Sequence, residues 1–465
     1  MVFSSAVFLF SFLPIVFVGN LLIKEKYSNY FLLLASLVFY AWGEPSMILL
    51  MIILIIINWL IGLMLSKTSG KFRSVLLIIG LIFDLGVLGF YKYSAFFASS
   101  LNNVLKSQVF PIVEVASPIG ISFFTFRAIS YLVDVYRRDT EQSSSLVNVA
   151  LYISFFPQLI SGPIVRYKDI NEQISNRSVN WIGISDGIRR FMYGIGKKVL
   201  IANTLGVCAD TVFSFDISII DCKTAWIGAL AYTFQIYYDF SGYSDMAIGL
   251  SKMFGFNIPE NFDYPYLSSS ITEFWRRWHI SLGSWFREYL YIPLGGNRKG
   301  NFRTYLNLFI VFFLTGLWHG AGLSFIAWGL YHGFFSILER LGLKKLLDKS
   351  KFISTIYAFL IVTVGWVFFR SERLISALRF LSRMFLPWRH MELSLDVWSY
   401  IDNKTIFVFA CAVLGMGIFN KLLPNRIKNT WKNSVVEALY CVCILVLSIS
   451  AVANGTYNPF IYFQF

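Results

Sequence analysis

Charged residues are scarce in this chain of 465 residues. Asp, Glu, Lys and Arg make up only 14% of it, whereas a soluble globular domain contains about a quarter. This scarcity excludes an ordinary water-soluble domain. Hydrophobic residues make up 56% of the chain, and several apolar runs reach the roughly 20 residues that cross a bilayer. The composition predicts an all-α integral membrane protein that crosses the membrane many times.

Acidic residues are the scarcer of the two charge types. There are 26 Asp and Glu against 40 Lys and Arg, which gives a formal net charge of +14. The basic residues lie between apolar segments, as the positive-inside rule requires, where they attract anionic lipid headgroups. Membrane lipid is therefore a predicted partner, and no nucleic-acid partner is predicted.

Cysteine is also sparse, with five residues at positions 208, 222, 411, 441 and 443. None of them is grouped with histidine at the spacing of a metal site. The sequence therefore predicts neither a structural disulfide nor a bound metal.

The first apolar run has no Lys or Arg before it, and its positive charges, Lys24 and Lys26, follow it. A signal peptide has the opposite order, so this run is predicted to be a retained span whose basic end lies in the cytoplasm. The basic segment 67–73 reaches the same side two crossings later. The clearest predicted spans are about 3–23, 30–42, 46–66, 74–91, 353–369, 403–422 and 434–453.

The central part of the chain has shorter apolar runs that contain Gly, Pro and polar residues. In lipid, backbone polar groups must be paired, so broken helices occur only within protein or beside a wet cavity. We predict one membrane domain with about 10–12 crossings or part-crossings. Its central core spans 111–340, and framing spans occupy 1–110 and 341–465.

A basic, aromatic segment follows at 268–300, SSSITEFWRRWHISLGSWFREYLYIPLGGNRKG. Ser270 with Glu273 three residues later predicts a helix start. At about 100° per residue the aromatic side chains fall on one face and the arginines on the other. The pattern predicts one helix in the membrane interface, with His279 on the edge of its apolar face. A plain interfacial anchor is the simpler interpretation of the same pattern.

The next turn, LGGNRKGNFR at 294–303, combines three glycines with Arg298, Lys299 and Arg303. Backbone N–H groups in glycine turns, beside basic side chains, can hold a phosphate. The turn is not a Walker motif, and a cytoplasmic loop with positive-inside charge has the same composition. Both interpretations remain open at this point.

Only four histidines occur, and His319 lies within a stretch without any Asp, Glu, Lys or Arg, Thr304 to Leu338. As one helix this stretch would be about 53 Å long, too long for a hydrocarbon core of about 30 Å. The glycines at 316, 320 and 322 are the predicted break. An imidazole at such a break suits proton transfer near neutral pH, although a packed, neutral histidine is the alternative.

The other ionisable residues of the core have plainer predicted roles. His332 is predicted to form a hydrogen bond between helices, and His390 to lie in an exposed basic loop. Asp134, Asp239 and Asp245 are each predicted to pair with an Arg or Tyr and to orient the core. A proton relay through these aspartates is the alternative.

Five segments, in this order, resemble the bacterial membrane-bound O-acyltransferase family, and most of all its alginate O-acetyltransferase branch with peptidoglycan O-acetyltransferase relatives. The closing NPFIYFQF (458–465) resembles the same branch. The five segments are SFFTFRAISYLVDVYRRD (122–139), FFPQLISGPIVRYKD (155–169), YYDFSGYSDMAIGLSKMFGFNIPENFDYPY (237–266), FWRRWHISLGSWFREYLYIPLGGNRKG (274–300) and TGLWHGAGLSFIAWGLYHG (315–333).

The resemblance implies a multi-pass bundle around a funnel or channel in the bacterial cytoplasmic membrane, with 111–340 as its catalytic core. It implies that His319 and His279 are catalytic. The candidates for the substrate channel or for donor binding are Trp318, Trp278, Arg276, Arg277, Arg298, Lys299, Arg303, Asp239 and Asp245.

The resemblance also implies the chemistry. An acetyl group is taken from a cytoplasmic thioester, acetyl-CoA or another acyl donor, and is passed outward for a separate extracytoplasmic transferase of the SGNH type. No permanently bound cofactor is expected. His319 acts either as a base or as an acyl carrier. A D-alanyl transferase of the teichoic-acid type with a carrier-protein donor, and a transporter without bond chemistry, are the alternatives.

Overall fold

The computed structural model describes residues 1–112, 115–386, 401–419, 435–455, 457 and 461. Across these residues the chain is helical, and its one isolated β-bridge joins Phe262 to Trp278. This confirms the predicted all-α class. His390 lies outside the described residues.

The backbone contacts group the chain into two compact units. The first unit contains Met1–Phe191 and Met246–Pro259, and the second contains Met192–Asp245 and Glu260–Phe465. The division into a core over 111–340 and two framing parts stays a prediction.

The helices that begin in the first unit follow a π-helical turn at Phe8–Phe12. They are α1 (Leu13–Leu22), α2 (Glu25–Gly43), α3 (Ile48–Lys67), α4 (Gly70–Leu105), α5 (Ile121–Arg137), α6 (Leu146–Ser154), α7 (Phe156–Leu159), α8 (Tyr167–Ser175) and α9 (Trp181–Gly196).

Helix α5 is the core of the first unit. Every residue from Ile121 to Val135 is buried. Neighbouring helices approach it at glycines: a Cβ added to Gly62 of α3 would lie 2.2 Å from the Tyr131 hydroxyl. A buried hydrogen bond of 2.8 Å from Asn58 to Asp84 joins α3 to α4, so these two polar side chains of apolar helices contact each other.

The helices that begin in the second unit include a π-helical segment at Lys197–Ala202. They are α10 (Asn203–Ser214), α11 (Cys222–Met253), α12 (Ile271–Arg277), α13 (Ile280–Phe286), α14 (Gly300–His319), α15 (Leu323–Leu338), α16 (Lys344–Leu347), α17 (Lys351–Arg370), α18 (Leu374–Phe385), α19 (Asn403–Val413) and α20 (Val435–Asn454).

Four helices in the described part of the chain are long and apolar enough to cross a bilayer: α3, α4, α17 and α20. The shorter apolar segments Phe8–Leu22 and Asn403–Ile418 coincide with two further predicted spans. Helix α4 continues to Leu105, well beyond the predicted end at 91. No Gly or Pro occurs between 92 and 105, and the helix ends where Lys106 takes a left-handed conformation. The number of crossings stays a prediction.

Candidate active site

A break between two helices lies at the glycines that follow His319. Helix α14 ends at His319, Gly320 is extended with φ −174°, and α15 begins at Leu323. The predicted break is therefore confirmed at Gly320 and Gly322. Gly316 instead lies inside α14, where a Cβ would come within 2.4 Å of the Phe325 carbonyl oxygen of α15. Glycine there lets the two helices pack closely.

The His319 imidazole is only 3% exposed and is enclosed by aromatic rings. Its ring centroid lies 4.7 Å from that of Trp318, 4.9 Å from Trp328 and 5.0 Å from Phe369. Since Trp328 belongs to α15 and Phe369 to α17, three helices fix the orientation of this ring.

The segment 268–300 is not the single interfacial helix that the sequence predicts. It is broken at Trp278 and His279, between α12 and α13, and ends in a π-helical turn at Arg287–Tyr291. The cause is a tertiary contact, because the backbone N–H of Ile280 donates to the Asn261 carbonyl at 3.0 Å. Trp278 is 2% exposed and His279 is 1% exposed, so neither lies at the edge of a surface helix.

The start of α12 follows the predicted capping pattern in part. The Ser270 hydroxyl accepts a hydrogen bond from the Glu273 N–H at 3.0 Å. The Glu273 carboxylate, however, accepts from the N–H and the hydroxyl of Ser269, at 2.8 and 2.6 Å. The reciprocal bond of the capping box is therefore shifted by one residue.

Asn261 fixes the His279 imidazole. Its side-chain oxygen lies 3.1 Å from His279 Nδ1 and accepts from the N–H and the hydroxyl of Ser281, at 3.2 and 2.9 Å. A backbone N–H can only donate, so this amide atom must be oxygen, and His279 Nδ1 must carry a proton. The Asn261 amide group donates to the Ser244 hydroxyl at 3.0 Å, which holds Asn261 itself.

The electrostatic state of His279 follows from its burial. His279 connects α12 and α13, two helices of seven residues each. Its backbone φ of +47° is left-handed, a conformation that is uncommon for residues other than glycine. Burial lowers the pKa of the His279 imidazole to about 3, so the ring is neutral at neutral pH. With the proton on Nδ1, Nε2 carries the lone pair and is the basic nitrogen.

One indole ring borders both predicted catalytic histidines. The Trp318 ring centroid lies 6.2 Å from that of His279 and 4.7 Å from that of His319. On its other side, His279 contacts the Phe240 ring at 4.7 Å. The structure thus brings together two imidazoles that are 40 positions apart in sequence (279 to 319). A buried imidazole in such surroundings can accept a proton where water does not compete.

Comparison with known proteins matches a family to the part of the chain that contains both histidines. A sequence model of the family described as "MBOAT, membrane-bound O-acyltransferase family" matches residues 76–370, which include both histidines. The chain belongs to the membrane-bound O-acyltransferase family. It is therefore an acyltransferase and a membrane protein.

Similar proteins cover most of the acyltransferase chain. A protein named "Probable alginate O-acetylase AlgI" from Pseudomonas putida is 43% identical over 100% of both chains. A protein of the same name from Pseudomonas aeruginosa is 47% identical over 85% of this chain and 77% of its own. A "Peptidoglycan O-acetyltransferase" from Helicobacter pylori is 37% identical over 83% and 80%, respectively.

The predicted donor-binding arginines and lysine of the acyltransferase lie in two places. Arg276 is exposed, while Arg277 forms an ion pair with Glu273 at 2.8 Å. Arg298, Lys299 and Arg303 are exposed together in and beside the turn 294–303. Positive φ angles at three glycines of that turn, between +56° and +106°, give it its shape.

The aspartates of the second unit form ion pairs with lysines, so the predicted Arg or Tyr partner is wrong for Asp239. Lys198 lies 2.8 Å from Asp239, and both side chains are 2% exposed. Lys197 lies 2.6 Å from Asp245. Both lysines come from the π-helical segment Lys197–Ala202, which the sequence pattern did not reveal as a partner of α11.

Two further predictions concern buried polar residues. His332 forms no hydrogen bond to any described residue, so the predicted bond between helices is wrong; its ring instead packs against Trp275 and Trp328, each at 5.3 Å. In the first unit, Asp134 accepts from the Lys168 backbone N–H at 3.0 Å.

Asn261 was missed as a functional candidate, although it lies within the motif segment 237–266.

Replacement of Asn261 by alanine is expected to lower acyl transfer by about 10²-fold, because the His279 ring loses the contact that orients it. The exposed Asn403, replaced by alanine in the same way, is the matched control and should leave the rate unchanged. Initial rates of the purified, folded variants measure the effect. Equal rates for the two variants would contradict the positioning role of Asn261.

Proposed function

We propose that the acyltransferase is an O-acetyltransferase of the bacterial cytoplasmic membrane. It takes acetyl from a cytoplasmic thioester donor and passes it across the membrane for O-acetylation of an extracytoplasmic polysaccharide. The names of its relatives, alginate O-acetylase and peptidoglycan O-acetyltransferase, support acetyl as the group that is moved. The acceptor is an alginate-like exopolysaccharide or the cell wall.

One observation carries the proposal: His319 ends a helix at a glycine break and lies, with His279, around the Trp318 ring. In the proposal, the aromatic rings around His319 keep water from hydrolysing the thioester. At the break, backbone N–H and C=O groups leave the helical hydrogen-bond pattern, so they can pair with a substrate.

His319 acts as the general base in the proposed step. An acceptor hydroxyl, from which the extracytoplasmic transferase later moves the acetyl group to the polysaccharide, attacks the acetyl carbonyl carbon while His319 takes the hydroxyl proton. The new C–O bond forms, the C–S bond breaks, and the leaving thiolate of the donor receives the proton from His319. This ends with an acetyl ester and a free thiol, so atoms and charge balance.

In the proposal, His279 contacts the thioester donor rather than the acceptor hydroxyl. With the proton on Nδ1, Nε2 is the ring nitrogen that can accept a hydrogen bond from a donor group. The exposed Arg276, Arg298, Lys299 and Arg303 provide positive charge that attracts the phosphates of acetyl-CoA. No bound cofactor takes part, and an extracytoplasmic transferase of the SGNH type completes the transfer.

The test uses the full chain reconstituted in sealed vesicles. Radiolabelled acetyl-CoA, which does not cross lipid, is added outside, and the polysaccharide with the SGNH-type transferase is enclosed inside. We expect label in the enclosed polysaccharide and free CoA outside, and neither with vesicles that lack the chain. Alginate and peptidoglycan are enclosed in separate samples, so the acceptor is identified by the same assay.

The alternatives give other results in this assay. Label transfer from a D-alanyl carrier protein, with none from acetyl-CoA, would overturn the acetyl donor and favour the teichoic-acid type of reaction. Entry of intact thioester without release of free CoA would indicate a transporter. Either result would reject the proposed function.

A further inference from the structure

A polar cavity of about 630 Å³ lies in the first unit, far along the chain from the histidines. It is bordered by the end of α1, the start of α2, the segment 175–179 and the start of α9. Its size falls within the range of about 300–1,000 Å³ that small-molecule sites occupy. The residues that line it are not among those that the proposed reaction uses.

The residues around the cavity indicate that it lies at the depth of the lipid headgroups. Leu22 and Trp181 beside it are 80% and 76% exposed, and Ile182 is 78% exposed. Such apolar side chains are stable when lipid covers them, and tryptophan favours the membrane–water interface. Glu25 and Lys26 follow the end of α1 immediately, so apolar exposure gives way to charge at this point of the chain.

Arg177 gives the cavity a fixed positive charge. Its Nε donates to the Phe254 carbonyl at 3.1 Å, and its two terminal nitrogens donate to Asn29 and Ser28. The guanidinium also lies over the Phe256 ring, 4.4 Å from its centroid. These contacts use three of the five N–H groups of an arginine and leave two for a ligand.

The other charges at the cavity are Lys26 and Glu25. Together with Arg177 the lining carries two positive charges and one negative charge, which leaves a net positive charge. Burial lowers the pKa of Arg177 to about 10, while the nearby Glu25 carboxylate opposes this shift, so the guanidinium stays charged at neutral pH. Asn20, Asn176 and Ser175 add amide and hydroxyl groups that can bind the hydroxyls of a polar headgroup.

We propose that this cavity binds the phosphodiester headgroup of an anionic phospholipid. Arg177 and Lys26 hold the phosphate, the amide and hydroxyl groups of the lining hold the headgroup hydroxyls, and Leu22 and Trp181 contact the acyl chains. The site is independent of the proposed acetyl transfer, so each can fail without the other.

The test is native mass spectrometry of the purified full chain from a neutral detergent, with phosphatidylglycerol, phosphatidylcholine or soluble glycerol phosphate added at matched concentrations. We expect retention of phosphatidylglycerol over phosphatidylcholine. Lys26→Gln should weaken phosphatidylglycerol binding about tenfold, the loss expected for one charge-assisted hydrogen bond. Lys71→Gln is the matched control, since Lys71 is equally exposed in the first unit but does not line the cavity.

Glu25→Gln separates a binding effect from a folding defect, because it removes the one negative charge of the lining. It should tighten phosphatidylglycerol binding, a result that an unfolded variant cannot give. Equal losses for Lys26→Gln and Lys71→Gln, or weaker binding by Glu25→Gln, would overturn the proposal. Binding of glycerol phosphate as tight as that of the lipid would instead indicate a site for soluble phosphate esters and would reject the lipid as ligand.

Discussion

Replacement of His319 by glutamine is expected to lower acetyl transfer by about 10²–10⁴-fold, the usual contribution of a positioned general base. Glutamine has a similar size and a polar end, so it can fill the space among Trp318, Trp328 and Phe369. Its amide cannot accept a proton from the acceptor hydroxyl at neutral pH. The loss should therefore appear in the turnover rate rather than in the amount of folded protein. Turnover of the purified variant in the vesicle assay measures it.

The matched control is His332→Gln. His332 is also buried and also packs against the Trp328 ring, at 5.3 Å, but it takes no part in the proposed reaction. Its variant controls for the loss of a packed imidazole and should retain a turnover rate within about tenfold of the parent, well short of the loss from a missing base. If His319→Gln retains as much activity as His332→Gln, then His319 is not the general base.

The same variant distinguishes a base from an acyl carrier. If His319 carries the acetyl group, rapid denaturation in SDS near neutral pH during turnover should trap labelled protein that hydroxylamine releases, and His319→Gln should abolish this label. With His319 as a base, the protein stays unlabelled while the product forms. Trapped label on His319 would contradict the base mechanism and leave the donor and acceptor assignments intact.

Replacement of Lys198 by methionine is expected to destabilise the second unit by about 3–5 kcal/mol. It removes the partner of Asp239 at 2.8 Å and leaves a carboxylate that is 2% exposed without its ion pair. The Ile461 N–H also donates to this carboxylate, at 2.9 Å, so this contact should weaken if Asp239 moves toward water. The midpoint of thermal or denaturant unfolding in detergent measures the effect.

The double variant Lys198→Met/Asp239→Asn tests the cause. Asparagine carries no charge but can still accept from the Ile461 N–H, so most of the lost stability should return. Lys344→Met is the surface control: its pair with Asp348 is 55% and 61% exposed and contributes at most about 1 kcal/mol. A double variant as unstable as Lys198→Met would show that the buried charge is not the cause.

Local patterns predicted much of the fold and the most specific part of the site. Apolar runs located α1, α3, α17 and α20, because a span needs about 20 apolar residues whatever its neighbours are. A single helix over 304–338 would be longer than the bilayer is thick, which predicted a break beside His319. In the structure, α14 ends at His319. These predictions depend on residues close together in sequence.

The segment 268–300 is a case in which a local pattern predicted the wrong structure. Its periodicity fits one amphipathic helix, but the helix breaks at Trp278 and His279 because backbone groups there pair with Asn261 and Asp263. Helical periodicity contains no information about partners from a different segment, and buried backbone groups take whichever partner the fold supplies. Asn261, 18 positions from His279, was overlooked for this reason.

By itself, the sequence determined that this protein is a helical membrane acyltransferase with a histidine at a helix break. Composition, helix length and ordered motifs are sufficient for that conclusion, since each depends on the chain alone. Only the tertiary structure decided which groups meet: His279 beside Trp318, Asn261 on the His279 ring, and a lysine on each of Asp239 and Asp245. Burial removes water as a partner, so the pairing depends on which segments the fold brings together.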